Sequence, residues 1–257
     1  MDQYSTLIER AKQVFPAIKT IADDTSYEEK GILYSEFLFM ASCLYGIDVK
    51  RIIESGRARG QSTLLLAKTF PSTEIVSFEY DENSPDVLIA NDRLKNYKNV
   101  QLLFGDSMIA IPLVLRINDV VIIDGPKGFL AIRLALKLLA SKKVSHVFIH
   151  DVSIGDSCRN FLDTFLSETV YSDHKELAKI TSILDKEITS YIPPANRIDG
   201  FKGEYGYGYT LGCMTFVRKR PYVILYYLSF FYDFLHSETN IWFRLNRKIK
   251  KHLSGRN

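Results

Sequence analysis

Several features are scarce in this 257-residue chain, and each scarcity excludes a class of protein. The three cysteines, Cys43, Cys158 and Cys213, are far apart and odd in number, which excludes a disulfide framework and a paired-cysteine metal site. The five histidines form no HExxH or HxH pair, so the common zinc-enzyme motifs are missing. We therefore predict buried, inert thiols and no motif-defined zinc site.

Long apolar runs and an N-terminal export signal are also missing. The sequence contains no run of about 18 to 20 uninterrupted apolar residues, and its first ten residues are polar. We therefore expect a cytoplasmic protein. With 46% hydrophobic and 25% charged residues, the composition is that of one large globular domain, alone or with appendages, and it excludes a disordered or fibrous chain.

The net charge of +3 is unevenly distributed. Nine lysines and arginines against two acids give the residues from Arg218 onwards a charge of +7, which leaves −4 for the 217 residues before them. We expect a mildly acidic body and a basic tail.

Hydrophobic periodicity predicts the order of the elements. Apolar residues at helical spacing indicate two leading helices within residues 1–46, which we expect to cap the substrate. Short β-branched runs then alternate with helical stretches, which is the rhythm of a parallel, doubly wound sheet. The strands of this part are predicted at 51–54, 75–79, 100–104, 120–124 and 144–150.

The rhythm changes after Asp151. Two strand candidates, 187–192 and 211–218, have no helical pattern between them, and they predict an antiparallel hairpin that closes the sheet. The predicted fold class is therefore α/β, with a doubly wound, seven-stranded, mostly parallel sheet and a C-terminal antiparallel hairpin over residues 47–219. Residues 220–257 are predicted to form an aromatic and basic helical tail.

The strongest local signal is the segment ESGRARGQS, from Glu54 to Ser62, which follows a predicted strand and opens a predicted helix. Gly56 and Gly60 allow a sharp turn close to a ligand, and the N-terminus of the helix offers free N–H donors. Glu79 ends the next strand, at a spacing typical of a carboxylate that binds ribose hydroxyls. We expect a ligand at this sheet edge, with a plain strand-to-helix turn as the alternative.

This segment, the Glu79 strand end, the Gly-Asp-Ser at 105–107 and the IIDGPK at 122–127 together resemble a class I S-adenosylmethionine-dependent methyltransferase. The resemblance covers residues 30–218 and implies a Rossmann-like fold. It also implies the cofactor-binding residues: Glu54, Gly56 and Gly60, with Ser62 beside them, along the methionine part, Glu79 at the ribose, and Asp106 and Ser107 at the adenine. One departure is Ala58, where many members have glycine.

Asp124 and Lys127 have the D-x-x-K spacing of catechol-type, metal-dependent O-methyltransferases, and Asp151 ends the next strand, where that group has a second metal carboxylate. Two such aspartates can share Mg²⁺, and the lysine can accept the proton of a substrate hydroxyl. Val152 replaces a further expected ligand, so metal dependence stays open. His150 fits a base, a partner of Asp151 or a buried, hydrogen-bonded ring.

The resemblance extends to sugar- and antibiotic-tailoring enzymes, including the cephalosporin-hydroxylase-like branch. It implies methyl transfer from S-adenosylmethionine to an oxygen of a small hydroxylated acceptor, such as a sugar or secondary metabolite. The predicted catalytic residues are Asp124, Lys127 and His150, and the predicted Mg²⁺ ligands are Asp124 and Asp151. A scaffold protein on the same fold and a nicotinamide-dependent oxidoreductase are the alternatives.

The tail permits two interpretations. The aromatic stretch at 222–235 is too short to span a bilayer and precedes a basic cluster at 244–251. Residues 222–251 can lie on an anionic membrane surface, at the inner face of the membrane, or the apolar part can pack on the body or on a second subunit of a homodimer. No nucleic-acid partner is expected, because the basic residues form one terminal cluster on an acidic body.

Overall fold

The computed structural model describes residues 3–28, 30–186, 188 and 210–236. Helices and strands alternate through most of this range. The helices are α1 (Gln3–Asp23), α2 (Tyr34–Leu44), α3 (Gln61–Thr69), α4 (Pro85–Leu94), α5 (Ser107–Val114), α6 (Phe129–Ala140), α7 (Ser157–Phe165), α8 (Lys175–Thr181), a short 3-10 helix (Ser182–Asp185) and α9 (Tyr222–His236). The strands are β1 (Arg51–Ser55), β2 (Glu74–Glu79), β3 (Val100–Phe104), β4 (Asp119–Ile123), β5 (Val144–Ile149), β6 (Val170–Tyr171) and β7 (Gly212–Thr215).

The strands form one seven-stranded sheet in the order β3-β2-β1-β4-β5-β7-β6. The first five are parallel, and β7 runs antiparallel to both β5 and β6. All residues of β1 and β4 are buried, as expected for parallel strands covered on both faces. The predicted Rossmann-like α/β class is confirmed, and the strand order reverses between β1 and β4, where such sheets bind ligands.

The strand beside β7 differs from the prediction. In the structure β7 pairs with β6, a strand of two residues that the sequence pattern did not reveal. Two residues are too few to produce the alternation by which strands are recognised. Of the strand predicted at 187–192, Ile188 lies in a turn, and the other residues are outside the part of the chain that the structure describes.

Two hydrophobic layers cover the two faces of the sheet. The first contains α1, α2 and α3, and every residue of α2 is buried. The leading helices therefore share one core with the sheet, while their role as a substrate cap stays a prediction. The second layer contains α5, α6, α7 and α9. Cys43, Cys158 and Cys213 are free and buried, as predicted.

The predicted tail begins with α9, which packs against α6 and α7. The basic cluster at 244–251 lies outside the described residues. Among those that the structure does describe, no helix is both long enough and apolar enough to cross a membrane.

Candidate active site

The glycine-containing loop after β1 packs closely against the end of β4. The backbone is left-handed at Gly56, Ala58 and Gly60, with φ of 88°, 44° and 76°. A Cβ on Gly56 would lie 2.8 Å from the amide nitrogen of Gly125, so a larger residue would push the two loops apart. The left-handed φ of Ala58 explains why glycine is the residue expected at this position.

Glu54 lies under this loop with its side chain buried. Its Oε2 accepts hydrogen bonds from the hydroxyl of Thr63 and, at 2.6 Å, from that of Ser77, and Ser62 also donates to the carboxylate. Burial raises the pKa of Glu54, and these hydroxyl groups only partly oppose the rise. Glu54 thus fastens the first turn of α3 to the sheet, and its contact with a cofactor stays a prediction.

The other residues predicted to bind the cofactor lie at the carboxyl ends of β2 and β3. The Oε2 of Glu79 accepts a hydrogen bond of 2.7 Å from the amide of Ala58, so this carboxylate braces the loop. Asp106 caps α5 by accepting from the amide of Met108 at 2.8 Å. The hydroxyl of Ser107 lies 2.5 Å from that of Ser55. The fold therefore brings Glu79, Asp106 and Ser107 to the edge of the sheet where the loop lies.

The four side chains predicted for chemistry or metal binding meet at the ends of β4 and β5. The Nζ of Lys127 contacts Asp124 and lies 2.7 Å from the Oδ2 of Asp151. The Nδ1 of His150 lies 3.1 Å from Asp124 and 3.0 Å from Asp151. Asp151 itself has a left-handed φ of 61°, a conformation that is rare for residues other than glycine and is often found at functional sites.

A fifth residue, Glu36, belongs to this cluster and was not predicted. It lies in the first turn of α2, and its Oε2 is 3.2 Å from the Nε2 of His150 and accepts a 3.2 Å hydrogen bond from the amide of Leu33. The two residues are 114 positions apart, and no motif surrounds Glu36. A charged residue inside an otherwise apolar helix was the one available signal.

Opposite charges decide the protonation of the cluster. Burial disfavours the charged form of Asp124, but the charges of His150 and Lys127 outweigh it and hold the pKa of this carboxyl well below its usual range. The same balance lowers the pKa of Asp151 to about 2. At His150 burial lowers the pKa, but the charges of Asp124 and Glu36 outweigh this effect and raise the pKa well above 6.5. At Lys127 the two aspartates raise the pKa despite burial.

The cluster also contains the predicted metal ligands. Asp124, His150 and Asp151 offer one ligand atom each within 4.8 Å of one another. However, the ammonium of Lys127 bridges the two carboxylates, at the position where Mg²⁺ is predicted, and the buried Val152 offers no ligand atom. The residues as arranged fit an ammonium rather than Mg²⁺, because Mg²⁺ would have to displace Lys127.

Comparison with known proteins gives a likeness in fold. No protein-family model matches the chain, and no curated protein does. Among solved structures, the N-terminal domain of EvdMO1 with bound S-adenosylhomocysteine (SAH) is 24% identical with a TM-score of 0.32, over 42% of this chain and 47% of that one. The match thus spans less than half of that protein's length.

Two other solved structures match over more of the chain. A protein from Klebsiella pneumoniae that is assigned as an O-methyltransferase is 15% identical with a TM-score of 0.45, over 82% of this chain and 90% of that one. The SAH-bound methyltransferase PaMTH1 from Podospora anserina is 16% identical with a TM-score of 0.43, over 82% of this chain and 87% of that one. The likeness is one of fold. The chemistry of this chain has to be argued from its own residues.

Proposed function

We propose that this chain is an S-adenosylmethionine-dependent O-methyltransferase that acts on a small hydroxylated acceptor, such as a sugar or a secondary metabolite. The observation that carries the proposal is the meeting of two groups of residues at one sheet edge. The loop from Gly56 to Gly60 follows β1, the polar cluster follows β4 and β5, and Gly56 packs against Gly125, directly beside Asp124. A cofactor on the loop would therefore lie next to the cluster, at the strand-order reversal where α/β sheets bind ligands.

The cofactor would be held by the residues that the resemblance implies. Gly56 and Gly60 would let it approach the backbone, Glu79 would bind the ribose hydroxyls, and Asp106 and Ser107 would flank the adenine. When bound, S-adenosylmethionine supplies a methyl group on a positively charged sulfur. The left-handed turn supports this assignment because Gly60 at the N-cap of α3 has no side chain to cap the first amides of the helix, which would leave them to a ligand.

The cluster would bind the acceptor and receive its proton. The ion pairs hold Lys127 and His150 in their charged forms, so we propose that they orient and polarise the acceptor hydroxyl by hydrogen bonds. Asp151 is more exposed than Asp124, and although its pKa is only about 2, the acceptor oxygen becomes far more acidic than this as it bonds to the methyl carbon. The carboxylate of Asp151 would therefore take the proton as the carbon–sulfur bond breaks. Most of the acceleration would come from alignment of the two reactants.

No step of this mechanism uses a metal ion, because the ammonium of Lys127 already lies between the two carboxylates. The predicted Mg²⁺ site at Asp124 and Asp151 stays a prediction. Activity that is lost with EDTA and restored by Mg²⁺ would establish it.

Calorimetric titration with S-adenosylmethionine and SAH, with NAD as a comparison, tests the proposal. We expect micromolar binding of the first two and none of NAD. Replacement of Glu79 by glutamine should weaken binding about tenfold through the ribose contact, whereas Glu82→Gln, an exposed residue of the following loop, should change nothing. Binding of NAD alone, or of no nucleotide, would refute the proposal.

A further inference from the structure

The outward face of α9 is entirely apolar. Seven of its fifteen residues are exposed, with between 42% and 69% of their surface accessible, and none of the seven is charged. They are Val223, Ile224, Tyr227, Phe230, Phe231, Phe234 and Leu235, which we call the aromatic face. A helix that faces water normally has polar residues on that side, so an apolar face of this length indicates a binding surface.

The opposite face fixes the orientation of the helix. Tyr222, Leu225 and Ser229 are buried against the second layer. On its flank, Asp233 forms an ion pair with Arg133 of α6, and the guanidinium of Arg133 lies 4.0 Å from the centre of the Phe230 ring. Because α9 is anchored in this way, the aromatic face cannot turn inward without loss of these contacts.

Apolar exposure extends to a second helix of the same layer. Both α5 and α9 pack against α6 on one side of the sheet. The side chains of Ile109 and Leu113 on α5 are 64% and 79% exposed. Exposed apolar side chains therefore occur on two helices of this layer.

The distribution of charge along the chain indicates what binds to the aromatic face. The 21 residues after α9 contain six lysines and arginines and one glutamate, a charge of +5, while residues 1–236 sum to −2. Their sequence also contains Trp242 and Phe243 directly before the basic cluster at 244–251. An aromatic face followed by concentrated positive charge matches the headgroup region of an anionic membrane, where rings lie at the interface and lysines attract lipid phosphates.

We propose that the aromatic face of α9 docks on an anionic lipid bilayer and that the basic segment after it provides the electrostatic attraction. The surface that docks would be the second layer, and the substrate edge of the sheet would stay open to its ligands. A second copy of the chain could also cover an apolar face, but it would give no role to the charge of +5 that follows this face in the sequence. The inference is independent of the reaction that the chain catalyses.

Vesicle flotation of the full chain tests the proposal. The vesicles are pure phosphatidylcholine or the same lipid with about one-third phosphatidylglycerol, each at low and high salt. One variant combines Ile224→Gln, Phe231→Gln and Phe234→Gln, a second combines Lys248→Gln, Lys250→Gln and Lys251→Gln, and Leu88→Gln on α4 is the control because Leu88 is 75% exposed. Thermal unfolding of each variant shows whether the fold is kept.

We expect the unaltered chain and Leu88→Gln to float with the anionic vesicles at low salt, and much less with the neutral ones or at high salt. Each triple variant should reduce the bound fraction by at least about tenfold. If the helix variant unfolds, the lysine variant alone decides. Equal binding to neutral and anionic vesicles, or no binding by the unaltered chain, overturns the proposal. A dimer in solution that the helix variant dissociates, without vesicle binding, assigns the face to a second copy instead.

Discussion

The Nε2 of His150 lies 3.2 Å from the Oε2 of Glu36, and this contact joins the first turn of α2 to the carboxyl end of β5. Both side chains are almost fully buried. The other ring nitrogen of His150 faces Asp124 and Asp151, so Glu36 sets the direction in which the imidazole meets the two carboxylates. A helix near the start of the chain thereby contacts the polar cluster at the carboxyl ends of β4 and β5.

Replacement of Glu36 tests this positioning role. Glu36→Gln keeps the size of the side chain and should lower turnover modestly, whereas Glu36→Ala lets the ring rotate and should lower it by up to about 100-fold. Affinity for S-adenosylmethionine should not change, because Glu36 faces the cluster. Steady-state kinetics with a methylated product as the readout, beside calorimetry, separates the two quantities. Glu9→Gln, at an exposed position of α1, is the control and should keep full turnover. If both Glu36 variants also keep full turnover, the positioning role of Glu36 is contradicted.

Lys127 distinguishes an enzyme from a scaffold protein on the same fold. Lys127→Ala and Asp124→Ala should reduce turnover by about 10²–10⁴-fold, since both side chains belong to the proposed acceptor site, and should leave cofactor affinity unchanged. Lys95→Ala is a matched control, because Lys95 and Asp92 form an exposed ion pair with the same three-residue spacing. Turnover that Lys127→Ala and Asp124→Ala retain in full would contradict the proposed acceptor site, and cofactor binding without any turnover by the unaltered chain would favour the scaffold interpretation.

The fold could be predicted because its signals are local. Buried β-branched strands such as β1 and β4 are visible as apolar runs, and the topology of a parallel sheet then brings the polar residues after each strand to one edge. Asp124 and Asp151 could be predicted to meet for this reason alone. The bridge that Lys127 makes between them depends on side-chain placement, which strand order does not determine.

Other features had no local signal. Glu36 reaches the cluster through the packing of α2, and β6 forms because β7 offers a free edge to two residues. The sequence explained glycine at position 56 only by the approach of a ligand. The structure adds a second reason, because Gly56 also packs closely against Gly125. Each of these contacts joins residues far apart in the sequence, so periodicity and motifs carry no information about them.

Asp185 should make the stability of the fold depend on pH. Its side chain is buried beside Ser35, and burial, helped by the charge of Glu36, raises its pKa from 3.8 to about 7 despite hydrogen bonds from Ser35. The folded protein thus binds this proton more tightly than the unfolded chain. The free energy of unfolding should fall as the pH rises from 4 to 7, with a contribution of about 1.4 kcal/mol per pH unit.

The variant Asp185→Asn should remove this contribution and should be more stable than the unaltered chain at pH 8, by on the order of 4 kcal/mol. Urea denaturation at a series of pH values measures it. Asp92→Asn, at an exposed position, should leave the slope between pH 4 and 7 as it is. An unchanged slope in Asp185→Asn would show that the buried carboxyl does not titrate in this range.

The buried ion pair between Arg51 and Asp119 gives the sharpest stability test. The two side chains are 5% and 2% exposed, and the guanidinium meets both carboxylate oxygens, at 3.0 and 2.5 Å. Arg51→Met leaves a buried carboxylate without its partner and should lower the free energy of unfolding by about 3–5 kcal/mol. Adding Asp119→Leu removes that charge and should restore part of the loss, although the amide of Arg116 then loses its acceptor.

The exposed ion pair between Arg116 and Glu74 is the control. Arg116→Ala breaks this pair and should lower the free energy of unfolding by less than about 1 kcal/mol in the same urea titration. Equal losses from Arg51→Met and Arg116→Ala would mean that burial of the Asp119 carboxylate carries no penalty.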